Sequence, residues 1–471
     1  MMGAIVLSHR WLGIAFCLLF AMWFATGIVM HFVPFPSLTE AERFAGLAPV
    51  DRGEPRISVA DAVAASGIAD ATRVRLIQRG DRPVYIVSGP TRPRAVRASD
   101  GRDASVTSAD VALEIVQGYA RQRGLDALRA AVVTRSDHDQ WSVPNGFDRY
   151  RPLFRVALGD AAGTEVYVSS PTGEVVLDTT RSERGWNWAG SVLHWIYPTV
   201  LRSHWALWDQ VVWTLSLLAL IAASLGAVLG IVRLRIRGRR ISSPYRGWHA
   251  LHHFIGLAAT LFVLSWIFSG WLSMDHGRLF SRGQLTSTEA AVMNAAPDWR
   301  DAPSFDRQPI SPSAREVEWF AFNGDIHRRD RVALGRQTLI RGGVPPDEQA
   351  EYFSPREVSE LTVRLATGCD APSVVAGDDV YLVRSVVRGA PVYRFRCNQL
   401  WFDIDGADGS VLQRLDPSRR TYRWVYNALH TFDVPVLMAH PHWRDVLIVG
   451  LCALGLVFSM TGVVIGWRRL R

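Results

Sequence analysis

The chain contains no lysine: all 52 positions counted as Lys or Arg are arginine. A Schiff-base lysine and a phosphate-loop lysine are therefore excluded. Cysteine is scarce, with 4 in 471 residues, too few for a disulfide scaffold. Cys17 and Cys452 lie inside apolar runs and read as packing residues. Cys369 and Cys397 lie in a polar region and could form one disulfide if that region is outside the cytoplasm. There is no HExxH motif and no glycine fingerprint after a predicted strand, which argues against a zinc peptidase and an internal nicotinamide domain. Disorder is excluded by 18 Trp, 20 Phe and 11 Tyr.

What the chain does have is four apolar runs of membrane-spanning length. They cover Trp11 to Val33, about Trp205 to Val232, Phe254 to Met274, and Val446 to Trp467. Each meets the roughly 20 residues that a hydrocarbon core near 30 Å requires. Trp and Tyr gather near their ends, as interfacial anchors do. The first run is longer than a signal-peptide core and is followed by Pro34 and Pro36 instead of a small-residue cleavage site, so it is expected to be a retained anchor. The connection between the second and third runs carries Arg233, Arg235, Arg237, Arg239, Arg240 and Arg246 without an acid, and the chain ends with Arg468, Arg469 and Arg471. The positive-inside rule places both in the cytoplasm, together with the N-terminus. The two long polar regions then lie in the periplasm of a Gram-negative cell. The net charge of +8 is accounted for in this way, and nucleic acid is not an expected partner.

An internal repeat organises the chain. His9-Arg10-Trp11-Leu12-Gly13 corresponds to His252-His253-Phe254-Ile255-Gly256 at an offset of 243, and Thr26-Gly27 falls on Ser269-Gly270. The stretch from Leu193 corresponds to that from Leu429 at an offset of 236, pairing His194 with His430, His204 with His440 and Asp209 with Asp445. The expected fold is an integral membrane α-helical protein: four transmembrane helices in two parallel helix–domain–helix repeats, with two periplasmic α+β domains. The predicted segments are 1–33, 34–190, 191–233, 234–248, 249–274, 275–423, 424–467 and 468–471, alternating between membrane helix and connecting region. In the first polar region, helices are expected over 58–67 and 107–124, the latter capped by Ser108. Strands are expected in RVRLIQ, PVYIV and RAV, and LFRVAL with TEVYVSSPTGEVVLDT reads as a hairpin turning at 171–173. In the second, VYLVRSVVRGAPVYRFRC and LWFDIDGADGSVLQRLD repeat the hairpin pattern, with turns at Gly389 and at Gly406 or Gly409; the Pro/Asp-rich stretches between 280 and 360 read as loops.

This order of features resembles the PepSY-associated transmembrane family, which includes iron-regulated inner-membrane proteins and siderophore reductases. The residues carrying the likeness are His9-Arg10-Trp11-Leu12-Gly13 with Thr26-Gly27, Thr172-Gly173-Glu174-Val175 with Leu193-His194, and Leu429-His430 with Thr461-Gly462 and the terminal arginines. The likeness implies PepSY domains outside the membrane and, as in some members, b-type haem between the spans with reduction of ferric siderophores. His253 beside His252, and His440-Pro441-His442 in place of a single His204, depart from the pattern and leave the ligand identity open.

The histidines suit that chemistry, since porphyrin iron takes two axial imidazoles and helices can clamp a flat macrocycle. His9 and His31 are 22 residues apart. They therefore lie about 40° apart around one helix and about 33 Å apart along it. Candidate cofactor-binding residues are His9, His31, His194, His204, His252, His253, His430 and His440. The iron ligands expected among them are His9 with His252 near the cytoplasmic face and His204 with His440 near the outer face. His194 and His430 are alternative ligands or partners of a propionate or substrate. Gly13, Gly27, Gly256 and Gly270 offer close approach, and Arg10, Arg202, Arg246 and Arg444 are candidate propionate partners. His138 and His327 read as surface residues. The reading is a protein with two b haems that takes electrons from a cytoplasmic reductase or quinol and delivers them to a periplasmic ferric siderophore or other ferric complex. Its catalytic residues are not identified by the sequence. Two other readings are an envelope-binding or peptidase-restraining PepSY protein without redox function, and an iron-chelate transporter.

Overall fold

The structure, a computed structural model, describes residues 2–53, 56–237, 240–302, 308–342, 344–345, 348–382 and 389–471. Arg239 and most of the strand expected in VYLVRSVV lie outside the described residues.

The four apolar runs are helices Met2–Phe32, Trp205–Arg233, Trp248–Leu272 and Pro441–Leu470, here called spans 1 to 4. Three of them extend well beyond the apolar run. Span 1 continues back to Met2 because nothing in its first turns breaks a helix. Span 3 starts at Trp248, which puts His249, His252 and His253 on its first two turns. Span 4 starts at Pro441, whose missing N–H costs nothing in a first turn. Spans 1 and 3 each pack against both spans 2 and 4. Phe16, Phe24, Ala219, Ala259, Val263, Trp266, Ile448 and Cys452 form the bundle core. Contact at Gly455 requires glycine, since a Cβ there would meet the Phe24 ring at 2.6 Å.

Two segments outside the spans belong to the same compact unit, which comprises residues 1–35, 183–282 and 418–471. The helix Arg181–Asn187 widens into a π-helical turn over Trp188–Val192 and leads directly to Leu193-His194. The helix Pro417–Tyr422 widens in the same way over Arg423–Ala428 and leads to Leu429-His430. Both wide turns were invisible in the sequence pattern.

The second unit comprises residues 36–182 and 283–417. Its strands in the first polar region are β1 (Arg73–Arg79), β2 (Arg82–Ser88), β3 (Arg94–Arg97), β4 (Ala131–Ser136), β5 (Leu153–Ala157), β6 (Glu165–Ser169) and β7 (Val175–Thr179). A short hairpin between spans 2 and 3, in the first unit, supplies β8 (Arg235–Arg237) and β9 (Arg240–Ser242). The second polar region adds β10 (Glu316–Phe322), β11 (Asp325–Ala333), β12 (Arg336–Ile340), β13 (Ser373–Val374), β14 (Val392–Cys397), β15 (Leu400–Asp405) and β16 (Val411–Leu415). Helices Val59–Ser66 and Ala109–Arg123 fall where expected, with Ser108 accepting from the Val111 amide as N-cap.

The polar regions are joined by pairing of β1 with β10, which makes one six-stranded sheet in the order β12-β11-β10-β1-β2-β3. Each region also has its own four-stranded sheet, β4-β5-β6-β7 and β13-β14-β15-β16. Between the Pro/Asp-rich stretches of 280–360, β10, β11 and β12 form a meander that the sequence reading left unassigned. Its first turn, Asn323-Gly324, has both residues at positive φ (55° and 96°), as a tight hairpin of this twist requires. Gly409, with φ 72°, and not Gly406, takes the left-handed position before β16. Cys369 and Cys397 form a disulfide.

One face of the shared sheet is apolar, built on Val74, Leu76, Val317 and Trp319. The other carries a buried ionic lattice. Alternation puts Arg73 and Arg75 of β1, Glu316 and Glu318 of β10, and Arg329 and Arg331 of β11 on that face. Glu316 is bonded by Arg43 at 2.9 Å and Arg331 at 2.5 Å. Glu318 is bonded by Arg73 and Arg329. Asp408 meets the same two arginines, at 3.0 and 3.2 Å, and Glu174 meets Arg75 at 2.7 Å. Burial opposes ionisation of these carboxylates, but the surrounding guanidinium groups win and hold Glu316, Glu318 and Asp408 below the usual carboxylate range. Asp405 moves the other way, up to about 6, because of burial and the neighbouring Asp408 charge. His327 is also corrected: it sits on β11 with its ring among Phe320, Phe322 and Phe353, and burial lowers it to about 4.

Candidate functional site

Four histidines of the bundle share one hydrogen-bonding arrangement. Nδ1 of His194 is 2.9 Å from Oγ1 of Thr26 on span 1. The Thr26 hydroxyl already donates to the Met22 carbonyl at 2.7 Å, so it accepts from the imidazole. Nδ1 of His430 lies 3.1 Å from Oγ of Ser269 on span 3, whose hydroxyl donates to the Trp266 carbonyl at 3.2 Å. Nδ1 of His252 lies 2.8 Å from Oγ1 of Thr461 on span 4, which donates to the Phe458 carbonyl at 2.6 Å. Nδ1 of His9 lies 3.1 Å from the Ala222 carbonyl of span 2, which can only accept. The Ala222 carbonyl holds His9 as the Nδ1–H tautomer, hydroxyls that donate to carbonyls of their own helix favour the same tautomer in the other three, and among the described residues no hydrogen bond reaches the Nε2 atoms.

Small residues make room beside each ring. A Cβ on Gly226 would meet His9 Cε1 at 2.6 Å. The corresponding approaches are 3.6 Å for Gly462 to His252, 3.9 Å for Gly27 to His194 and 3.4 Å for Gly270 to His430. Gly13 has no such neighbour, and Gly256 faces the Phe458 ring instead. Phe458 also stacks on His252 at 4.7 Å, and Tyr426 on His430 at 5.6 Å. The His194 segment is held from behind, with Trp23 Nε1 donating to the His194 carbonyl at 2.9 Å.

His252 lies within electrostatic range of His9, His249 and His253, and His194 within that of His430. The expected outer ligands His204 and His440 are placed differently. Both are exposed at the residue preceding their spans, and His204 Nδ1 is spent on its own turn, 3.3 Å from the Val200 carbonyl. His253 is buried with both nitrogens in use, to Ser243 Oγ and the Gly230 carbonyl, each at 2.8 Å. His31 Nε2 is taken by Asp445 at 2.8 Å, and Asp209 receives His276 at 2.6 Å together with Arg278. Among the arginines, Arg10 and Arg246 are exposed, Arg202 lies over Tyr197 and Trp208, and Arg444 donates to the Thr431 carbonyl at 2.9 Å, next to His430.

Residues 6–469 match the model of the PepSY-associated TM region. The chain belongs to that family. It is a multi-pass membrane protein with α+β domains built on the connections after spans 1 and 3. No curated protein matches this PepSY-associated chain.

The donor set suits porphyrin iron better than a bare ion. Among the described residues no group of three or more His, Cys, Asp or Glu side chains could hold a metal ion. Two imidazoles suffice where a macrocycle supplies the other four nitrogens. The bundle also buries an unpartnered donor, Trp266 Nε1, among the rings of Phe24, Phe262 and Phe432. The sequence offered His194 and His430 only as alternatives to His204 and His440; the signal setting them apart is the repeat-related hydroxyls Thr26 and Ser269, to which they bond.

Proposed function

We propose that the chain is an inner-membrane electron-transfer protein that holds two b haems, one between His9 and His252 and the other between His194 and His430. The observation that carries this reading is the set of four imidazoles with Nδ1–H bound to a fixed acceptor and Nε2 free, which is the tautomer an axial ligand needs. The outer pair replaces the expected His204 and His440. Bound there, haem b supplies a reversible one-electron iron couple.

The chain's own residues orient and tune. Thr26, Ser269, Thr461 and the Ala222 carbonyl set the ring planes and raise the basicity of Nε2. The π-helical turns before His194 and His430 aim these rings back toward spans 1 and 3; single wide turns of this type recur at functional sites. The repeat supports the assignment, since offsets of 243 and 236 carry His9 with Gly226 onto His252 with Gly462, and His194 with Thr26 onto His430 with Ser269. The arginine-rich connection supports a cytoplasmic placement of the His9 end and a periplasmic placement of the large domains. Electrons then pass from a cytoplasmic reductase or quinol to a periplasmic ferric siderophore or other ferric complex, as a ferric-chelate reductase requires.

The test is the haem-to-protein ratio of the purified full chain by pyridine haemochrome. Two haems per chain with a reduced-minus-oxidised b-type band are expected. A folded, colourless protein after expression with ample haem contradicts the reading and favours an envelope-binding role.

A further inference from the structure

The end of the bundle that carries the β8–β9 hairpin is free of acid. No Asp or Glu occurs in residues 1–39, 210–274 or 446–471. Arg233, Arg235, Arg246, Arg468 and Arg469 are exposed, and among the described residues none has a carboxylate partner. Their charge is therefore not consumed inside the protein.

The hairpin adds an apolar element. Its register sets Ile236 directly opposite Ile241, with Arg235 opposite Ser242 on the other face. Ile236 and Ile241 are 66% and 63% exposed, so two isoleucines form an uncovered pair. One residue separates Arg233, the last of span 2, from β8, and five separate β9 from span 3. Connections this short keep the hairpin at the membrane surface. Exposed Tyr245 and Trp248 follow it in the chain, and Arg468, beside exposed Trp467, lies over the Trp248 ring at 5.8 Å. It is tied to the bundle, because Ser243 Oγ bonds the buried His253 at 2.8 Å and Tyr245 packs edge-on against the same ring at 5.5 Å.

We infer that this hairpin, with the arginines at the ends of spans 2 and 4 and Arg246 before span 3, is a docking surface for anionic phospholipid. The Ile236–Ile241 pair enters the headgroup boundary while the arginines take the lipid phosphates. Charge complementarity selects the occupant: a zwitterionic lipid offers no net charge to five unpaired guanidinium groups.

Titration of the detergent-solubilised full chain with fluorescent phosphatidylglycerol and phosphatidylcholine tests this. Phosphatidylglycerol is expected to bind more tightly at low salt, with the preference lost at about 0.5 M NaCl, where charges more than a few ångströms apart are screened. Each of Arg233→Gln, Arg235→Gln and Arg246→Gln is expected to weaken it about five-fold. The triple lysine variant should keep the preference, because the surface reads charge. All these side chains are exposed, so unchanged thermal unfolding of each variant reports an intact bundle. Equal affinity for the two lipids, or a triple glutamine variant that keeps the preference, overturns the proposal.

Discussion

At the scale of single residues, a histidine's role is decided by which nitrogen is already engaged. His253 and His252 are adjacent in sequence, yet His253 has both nitrogens bonded and His252 only Nδ1. Thr26→Val removes the acceptor that orients His194, and outer-site haem affinity is expected to fall about 10- to 100-fold, the usual cost of losing such a partner. Haem titration of the apo chain measures this, and Thr26→Ser should restore it. Gly226→Val is expected to empty the inner site, because even its Cβ would lie 2.6 Å from His9 Cε1. The haem ratio should fall from two to one while the His194–His430 site keeps its spectrum. Sequence spacing pointed to His9 with His252 for the inner site, from their repeat offset and interfacial position, and that assignment is kept in the proposal. Spacing favoured His204 over His194 for the outer site; that choice is reversed in the proposal because His194 follows a wide π-helical turn, which leaves no mark on hydrophobic periodicity.

At the scale of elements, the shared sheet is held on one face by charge. Glu316 is fully buried between Arg43, Arg75 and Arg331, so Glu316→Gln removes the carboxylate that three arginines share and leaves Arg75 to Glu174 and both Arg43 and Arg331 to Glu40. Loss of about 3–5 kcal/mol is expected, as when one partner of a buried pair is removed. Chemical denaturation of the full chain followed by the β-sheet signal in far-UV circular dichroism would measure it. The lattice also sets an acid limit. Glu316, Glu318 and Asp408 have folded-state values below their unfolded ones, so their stabilisation is complete above about pH 4.5 and is lost as pH falls through the depressed values. His327, lowered to about 4, acts in the same direction between 6.5 and 4. Asp405, raised to about 6, opposes them, adding stability below its unfolded value near 3.8 and losing it as pH rises through 6. Three carboxylates and one imidazole outweigh one, so thermal unfolding of the large domains should shift to lower temperature below about pH 4.5. Most strands were legible from alternation and turn residues. The meander of β10 to β12 was hidden because Glu316, Glu318, Arg329 and Arg331 are buried polar residues, which read from sequence as solvent-facing loop. The partners of the two glutamates in β1 lie more than 240 residues away.

At the scale of the whole molecule, the proposed movement of electrons across a bilayer rests on four spans, repeat-related histidines and an arginine-rich end taken together. The spans and family were legible because membrane thickness imposes a length and composition that sequence cannot disguise. Joining of the two polar regions through β1 and β10 was not, since pairing across such a separation depends on tertiary register alone. The most direct test of the central claim compares haem content and redox spectra of His194→Ala and His204→Ala in the full chain. The account predicts that the wild type carries two haems, that His194→Ala retains only one, and that His204→Ala retains both. A chain that keeps both haems without His194, or loses one without His204, would contradict it.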